Sequence, residues 1–149
     1  MKTNLTAQDL ISFEEEVGEC FNSGKIRAPI HLYNGNEDKI IKIFEKVNKE
    51  DYIFCSWRSH YQCLLKGVPR ETLKKDILAG KSITLCYPEY RIFSSAIVTG
   101  SIPIANGRAL AEKHKGSDSH VWCFVGDMSS ETGSFHENVK YSVNHDLPI

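Results

Sequence analysis

The stretch Val121-Trp122-Cys123-Phe124-Val125-Gly126-Asp127 decides how the chain is read. Its run of apolar residues, rich in valine and aromatics, predicts a short buried strand. Gly126-Asp127 then turns the chain, and Met128-Ser129-Ser130-Glu131 leads into a helix that carries Phe135, Val139 and Val143 at i, i+4 and i+8. Strand, turn and helix together set one carboxylate at the carboxyl end of a strand, beside the N–H groups of a helix start. Open α/β sheets bind ligands at such points. A helix start attracts phosphate, and an aspartate offers a hard oxygen to Mg²⁺. Asp127 is therefore a candidate for holding a metal–diphosphate group. The same residue in that place also reads as a plain helix cap.

Working outward, a second polar cluster follows a second strand. Tyr52 to Cys55 reads as that strand, and Trp57-Arg58-Ser59-His60 comes straight after it, at the start of a helix. Arg58 has the forked geometry that grips phosphate, although a surface arginine reads the same way. His60 is a possible acid or base, or a structural histidine. Before this strand, Gln8 to Phe21 predicts an amphipathic helix with Leu10, Phe13, Val17 and Phe21 on one face. Lys25 to Tyr33 reads as extended, Asn34-Gly35-Asn36 as a turn, and a second helix carries Ile40, Ile41, Phe44 and Val47. A further helix opens near Pro69, runs to about Leu78 and stops at Ala79-Gly80. Lys81 to Gly100 has no helical period and reads as a long ordered loop. Ser101 is read as the cap of the next helix, with Pro103 in its first turn. Ile102, Ala105, Ala109 and Leu110 form the buried stripe, and Gly107 allows close packing. Asp146 to Ile149 looks like entry into another strand.

The composition narrows the class. A chain of 149 residues is one domain in size, and 41% hydrophobic with 25% charged residues is ordinary for a globular protein. A net charge of -1 argues against nucleic acid or an anionic membrane as the main partner. No apolar run reaches the roughly 20 residues of a membrane span. The opening residues do not resemble a signal peptide, so a cytoplasmic location is expected. Cys20, Cys55, Cys63, Cys86 and Cys123 are odd in number and scattered, which suits core residues better than a disulfide framework or a zinc site.

The pieces and their order resemble the alpha subunit of thiamine-diphosphate-dependent 2-oxo acid dehydrogenases of the pyruvate, branched-chain and acetoin type. The resemblance runs through Phe13-Glu14-Glu15-Glu16-Val17, His31-Leu32-Tyr33-Asn34-Gly35-Asn36-Glu37, Trp57-Arg58-Ser59-His60, Lys66-Gly67-Val68-Pro69, Gly100-Ser101-Ile102-Pro103 and Gly126-Asp127. It implies an α/β fold, a partial doubly wound parallel sheet with flanking helices, with residues 1–149 as the N-terminal part of the diphosphate-side domain. It implies thiamine diphosphate and Mg²⁺ as cofactors, with Asp127 as metal ligand and Gly126, Met128 and Ser129 approaching the diphosphate through their backbone. Trp57 and Arg58 stand where the family has Tyr-Arg, so Arg58 becomes a diphosphate contact. Ala96 and Val98 fall in the segment that touches the aminopyrimidine ring.

The partners implied are a beta-type subunit carrying the pyrimidine-binding domain, a lipoyl acyltransferase, and possibly a chain that completes the sheet, in an oligomer. The ring-activating glutamate belongs to the beta subunit, so Glu137 is read as structural. Met128 departs from the pattern, standing where the family has a second glycine. So does the segment from Lys81 to Ser94, which lacks the family's glycine-rich stretch. The family's second metal ligand, an asparagine, follows the strand that Ile149 begins, so weak cofactor binding by this chain alone is expected. A truncated, non-catalytic module that keeps the fold and an interaction surface is the alternative. Another nucleotide-binding α/β protein is disfavoured by the absence of a dinucleotide fingerprint or P-loop.

Overall fold

A computed structural model describes residues 4–149; the first residues of the opening segment lie outside that range. Helix α1 spans Ala7–Asn22. Thr6 starts it with a reciprocal box: its hydroxyl accepts from Asp9 N at 3.2 Å, and Asp9 accepts from Thr6 N at 2.8 Å. Helix α2 spans Glu37–Phe44 and strand β1 spans Tyr52–Cys55. Helices α3, His60–Leu65, and α4, Arg70–Leu78, follow. Gly80, at φ +84, ends α4 in a conformation costly for other residues. Lys25 to Tyr33 joins no strand ladder, and Val47 falls just past α2.

The segment 81–100 is not simply a loop. It holds strand β2, Cys86–Tyr87, a 3-10 turn, Pro88–Tyr90, and strand β3, Ile92–Ser94. These strands are too short to show an alternating pattern, and they form because β1 offers a ladder. Helix α5 spans Ser101–Lys115 and strand β4 Val121–Phe124. A short helix α6, Asp127–Ser130, and a longer α7, Gly133–Asn144, complete the chain.

The strand order is β2-β3-β1-β4. β1 pairs in parallel with β3 and with β4, whereas β2 lies antiparallel on β3, so the sheet is mixed rather than wholly parallel. Alternation along β1 divides the core. Ile53 and Cys55 face Leu10, Phe13, Val17 and Phe44 from the first helices. Phe54 faces Ala105 and Ala109 of α5, with Val121 and Leu147. Helices thus cover both faces, and the α/β fold is present.

Several details differ from the sequence reading. β1, not β4, has neighbours on both sides. β4 pairs with β1 alone and forms an edge of the sheet, and Trp122, Cys123 and Phe124 are half-buried. Phe21 is 44% exposed, at the far end of α1. Gly100, not Ser101, occupies the cap position of α5, and Gly107 is exposed with open space around it. Close packing there falls to Ala105 and Ala109 alone. Leu110 is only partly buried. Val139 and Val143 of α7 remain exposed. The backbone of Leu147–Ile149 does return to the sheet, and Val121 N donates to Pro148 O at 2.8 Å.

Two buried polar groups hold the layers together. The Asp51 carboxylate accepts from Asn48 N, His120 N and the Trp122 indole, each at 2.9 Å, which clamps the start of β1 to that of β4. His60 is fully buried; Nδ1 lies 3.1 Å from both Glu14 oxygens and Nε2 lies 2.9 Å from Ser82 Oγ. Both nitrogens are occupied, so His60 ties α3 to α1 and has no free edge for acid–base work.

Replacing Asp51 with alanine strands three donors and is expected to cost about 3 kcal/mol in urea denaturation. The thiols give a pH prediction. Burial pushes Cys55 and Cys63 up and raises Cys123 from 9.0 to about 11. A raised thiol keeps its proton in the folded state, so its contribution is intact below pH 9.0 and is lost as pH climbs towards about 11. Burial lowers Lys66 to about 8, and that single group works in the opposite direction. Thermal melts should therefore show falling stability above pH 9, and a flat alkaline profile would contradict this account.

Candidate functional site at the carboxyl ends of β1 and β4

Because Cys55 pairs with Phe124, the chain leaves both strands at the same edge of the sheet. Ser56 and Arg58 follow β1; Val125, Gly126 and Asp127 follow β4. All five line one cleft of about 310 Å³, together with Tyr33, Asn36, Lys39 and Gln62. From β1 the connection runs to β3 through α3 and α4 on one face. From β3 it runs back past β1 to β4 through α5 on the other. The cleft therefore opens where successive connections diverge, the point at which doubly wound sheets take ligands.

Arg58 and Lys39 are exposed cations and Asp127 an exposed carboxylate, so the cleft carries both signs of charge. Tyr33 builds its wall. Its ring stacks on Tyr61 at 4.5 Å, its hydroxyl donates to Arg58 O at 2.9 Å, and the Arg58 guanidinium lies 5.9 Å from its ring centre. Gln62 donates to the same hydroxyl. Burial raises the Tyr33 phenol well above its ordinary value, so it stays protonated and able to donate.

Residues 6–149 match the family profile described as dehydrogenase E1 component. The chain belongs to that family. Among curated relatives it is 28% identical over 152 residues to the alpha subunit of the acetoin:2,6-dichlorophenolindophenol oxidoreductase of Bacillus subtilis, covering 95% of this chain and 45% of that one. It is 26% identical to the pyruvate dehydrogenase E1 component subunit alpha of Porphyra purpurea, covering 93% and 45%. The corresponding subunit of Rickettsia bellii is 27% identical, covering 92% and 45%. The chain thus spans under half the length of these E1 alpha relatives.

Within this chain the sequence-derived residues separate into two groups. Arg58, Gly126 and Asp127 meet in the cleft. Asp127 is the first residue of α6 rather than its cap; Gly126 holds the cap position and no side chain caps the helix. A Cβ at Gly126 would meet only Ser129 Oγ, at 3.8 Å, so nothing inside the chain demands glycine there. Close approach by a ligand is a remaining reason for it.

Met128, Ser129, Trp57, Ala96 and Val98 do not line the cleft. Met128 points into solvent, 74% exposed, and its φ is not in the glycine-favoured region, so it crowds nothing. Ser129 is buried and its N–H donates to Gly126 O at 3.1 Å, so that group is used by the turn itself. Among the described residues the N–H groups of Asp127 and Met128 have no partner. Trp57 packs against His31, with ring centres 5.9 Å apart. Ala96 and Val98 sit on an exposed loop after β3, one strand further along the sheet than the cleft. Glu137 is exposed on α7.

Tyr33, Asn36, Lys39 and Gln62 escaped the sequence reading as site residues. The Asn34-Gly35-Asn36 turn was a local signal, but nothing in the spacing says that it folds over the end of β1. Among the described residues no group of three or more His, Cys, Asp or Glu stands together to hold a metal. A cation here would rely on Asp127, neutral oxygens and the oxygens of its own ligand. Mg²⁺ is commonly held in that way beside phosphates, so the residues present fit a magnesium–diphosphate group.

Proposed function

We propose that this chain is the diphosphate-side part of a thiamine-diphosphate-dependent 2-oxo acid dehydrogenase alpha-subunit-like protein, with residues 1–149 as the N-terminal portion of that domain. The observation that carries the reading is Arg58 and Asp127 lining one cleft at the sheet's carboxyl edge, in a chain of the E1 family. Arg58 and Lys39 would neutralise and orient the diphosphate, and Arg58 can do so through two parallel N–H donors. Asp127 would offer its carboxylate to Mg²⁺, and Gly126 would let the backbone come near. Tyr33 holds the Arg58 segment in place through its hydroxyl. Thiamine diphosphate supplies the carbanion-stabilising chemistry when bound. Ala96 and Val98, on the neighbouring loop, remain the proposed packing surface for its ring; Trp57, Met128 and Ser129 would act as supports rather than contacts.

Decarboxylation of a 2-oxo acid with acyl transfer to a lipoyl acyltransferase would need a beta-type partner carrying the pyrimidine-binding domain. The open side of β4 and the exposed Val125, Val139, Val143 and Ile149 favour association with another polypeptide or further sheet. No described helix is long and apolar enough to cross a membrane. A non-catalytic module with the same fold is the second reading, favoured by Asp127 being the one carboxylate among the described residues that line the cleft.

Calorimetry with thiamine diphosphate and Mg²⁺, on this chain alone and with a beta-type partner, tests the reading. Asp127→Ala is expected to abolish binding, and Arg58→Ala to weaken it by about 10- to 100-fold. No heat from the parent under either condition would favour the non-catalytic module. Light scattering tests association: the parent should be larger than a monomer, and Val139→Lys with Val143→Lys should shift it downward. A monodisperse monomeric parent would oppose the idea.

A further inference from the structure

A groove of about 800 Å³ runs between α1 and the segment that leads into α2. It is a different cavity from the cleft, although Tyr33 lines both. Its α1 wall is a single helix face: Ile11, Glu14, Glu15, Gly18, Glu19 and Asn22 recur at i, i+3, i+4, i+7, i+8 and i+11. A Cβ on Gly18 would touch Leu32 Cδ1 at 3.4 Å, so the two walls meet there and close the floor.

The charge of this groove has one sign. Glu14, Glu15, Glu19 and Glu37 line it, and no Lys, Arg or His does. Two of the four are satisfied inside the chain. Glu14 faces the His60 ring, and Glu37 Oε1 accepts from the Tyr61 hydroxyl at 2.9 Å and from Gly35 N at 3.0 Å. Glu15 and Glu19 are exposed and form no ion pair with any described residue. Glu16, on the same helix, shows the contrast: Arg70 holds it at 2.7 Å, and Lys74 donates to it as well. Glu15 and Glu19 stand at i and i+4, and like charges at that spacing weaken a helix. Glu19 also lies in the last turn, where the helix dipole disfavours a carboxylate and where α1 carries no basic residue. The fold therefore leaves two repelling carboxylates unrelieved along an open helix face.

We propose that this groove is a docking surface for a basic, extended segment of another polypeptide. Charge complementarity selects a cationic partner, and geometry selects its form. Among the described residues no group of carboxylates stands close enough together to hold a metal ion. Glu15 and Glu19 are roughly 6 Å apart along the helix axis. Alternate residues of an extended chain are spaced at about 6.6 Å. A segment of the form Lys-x-Lys thus sets one ammonium on each carboxylate. Ile11, Gly18 and Leu32 supply apolar surface for the methylene stems. The proposal stands apart from the magnesium–diphosphate reading of the cleft.

The test titrates the full 149-residue chain with the peptide Lys-Ala-Lys-Ala-Lys and follows backbone amide signals. The signals of Gly18, Leu32 and Asn34 should move, and the affinity should fall as salt is added. Glu15→Gln combined with Glu19→Gln should weaken binding by about tenfold or more. Without peptide, that double variant should melt at or above the parent temperature, since the repulsion is gone. Glu45→Gln combined with Glu131→Gln removes the same charge from exposed positions outside the groove and should bind like the parent. An equal loss in this control would mean general charge attraction and would overturn the proposal. So would unchanged binding in the groove variant, or no binding by the parent. Spermidine and Mg²⁺ are the competing probes: either one moving the Gly18 signal at the peptide's affinity would replace the segment with a small cation and overturn the proposal.

Discussion

The buried carboxylate of Asp51 is the constraint from which the site geometry follows. It accepts from the backbone of His120 and the indole of Trp122 on one strand segment, and from Asn48 on the approach to the other. A parallel pair whose side chains serve different faces tolerates no slip of one residue, since that would exchange core and solvent positions. The clamp at the amino ends sets the register, and Cys55 lies opposite Phe124 as a result. Both chain segments then leave the sheet together, which is why Arg58 and Asp127 share a cleft although 68 positions separate Arg58 from Gly126 and 69 separate it from Asp127 in the chain.

The rest of the molecule supports that edge. His60 and Glu14 fasten α3 beneath α1, and α3 begins two residues after Arg58. Tyr33 reaches from the irregular segment before α2, stacks on Tyr61 and holds the backbone of Arg58. The cationic groups of the cleft stay exposed, whereas Tyr33, which positions the Arg58 segment, is half-buried and stacks on the fully buried Tyr61. Such an arrangement suits recognition of a charged ligand: the supports are preorganised, and the binding charges retain their solvation until they are used.

Much of this was legible in the chain because it rests on local rules. The helix periods, the strand Tyr52–Cys55, the stop at Gly80 and the Gly126-Asp127 turn each follow from a few neighbouring residues. The strands in 81–100 were not legible. Two- and three-residue strands carry no periodicity, and their pairing depends on β1, far away in sequence. The exposure of α7 and the half-covered state of β4 were hidden for a related reason. An apolar pattern announces a surface to be covered but does not say what covers it.

Sequence alone determined the α/β class, the strands Tyr52–Cys55 and Val121–Phe124 with the helices around them, the family resemblance, and Arg58 and Asp127 as chemically apt residues. Tertiary structure decided which apt residues meet. It placed Gln62, Asn36, Lys39 and Tyr33 around the same cleft, buried His60 out of reach, and left Met128 in solvent. The reason is physical: propensity and periodicity act over a few residues, whereas the partners of a buried polar atom are set by how distant layers pack.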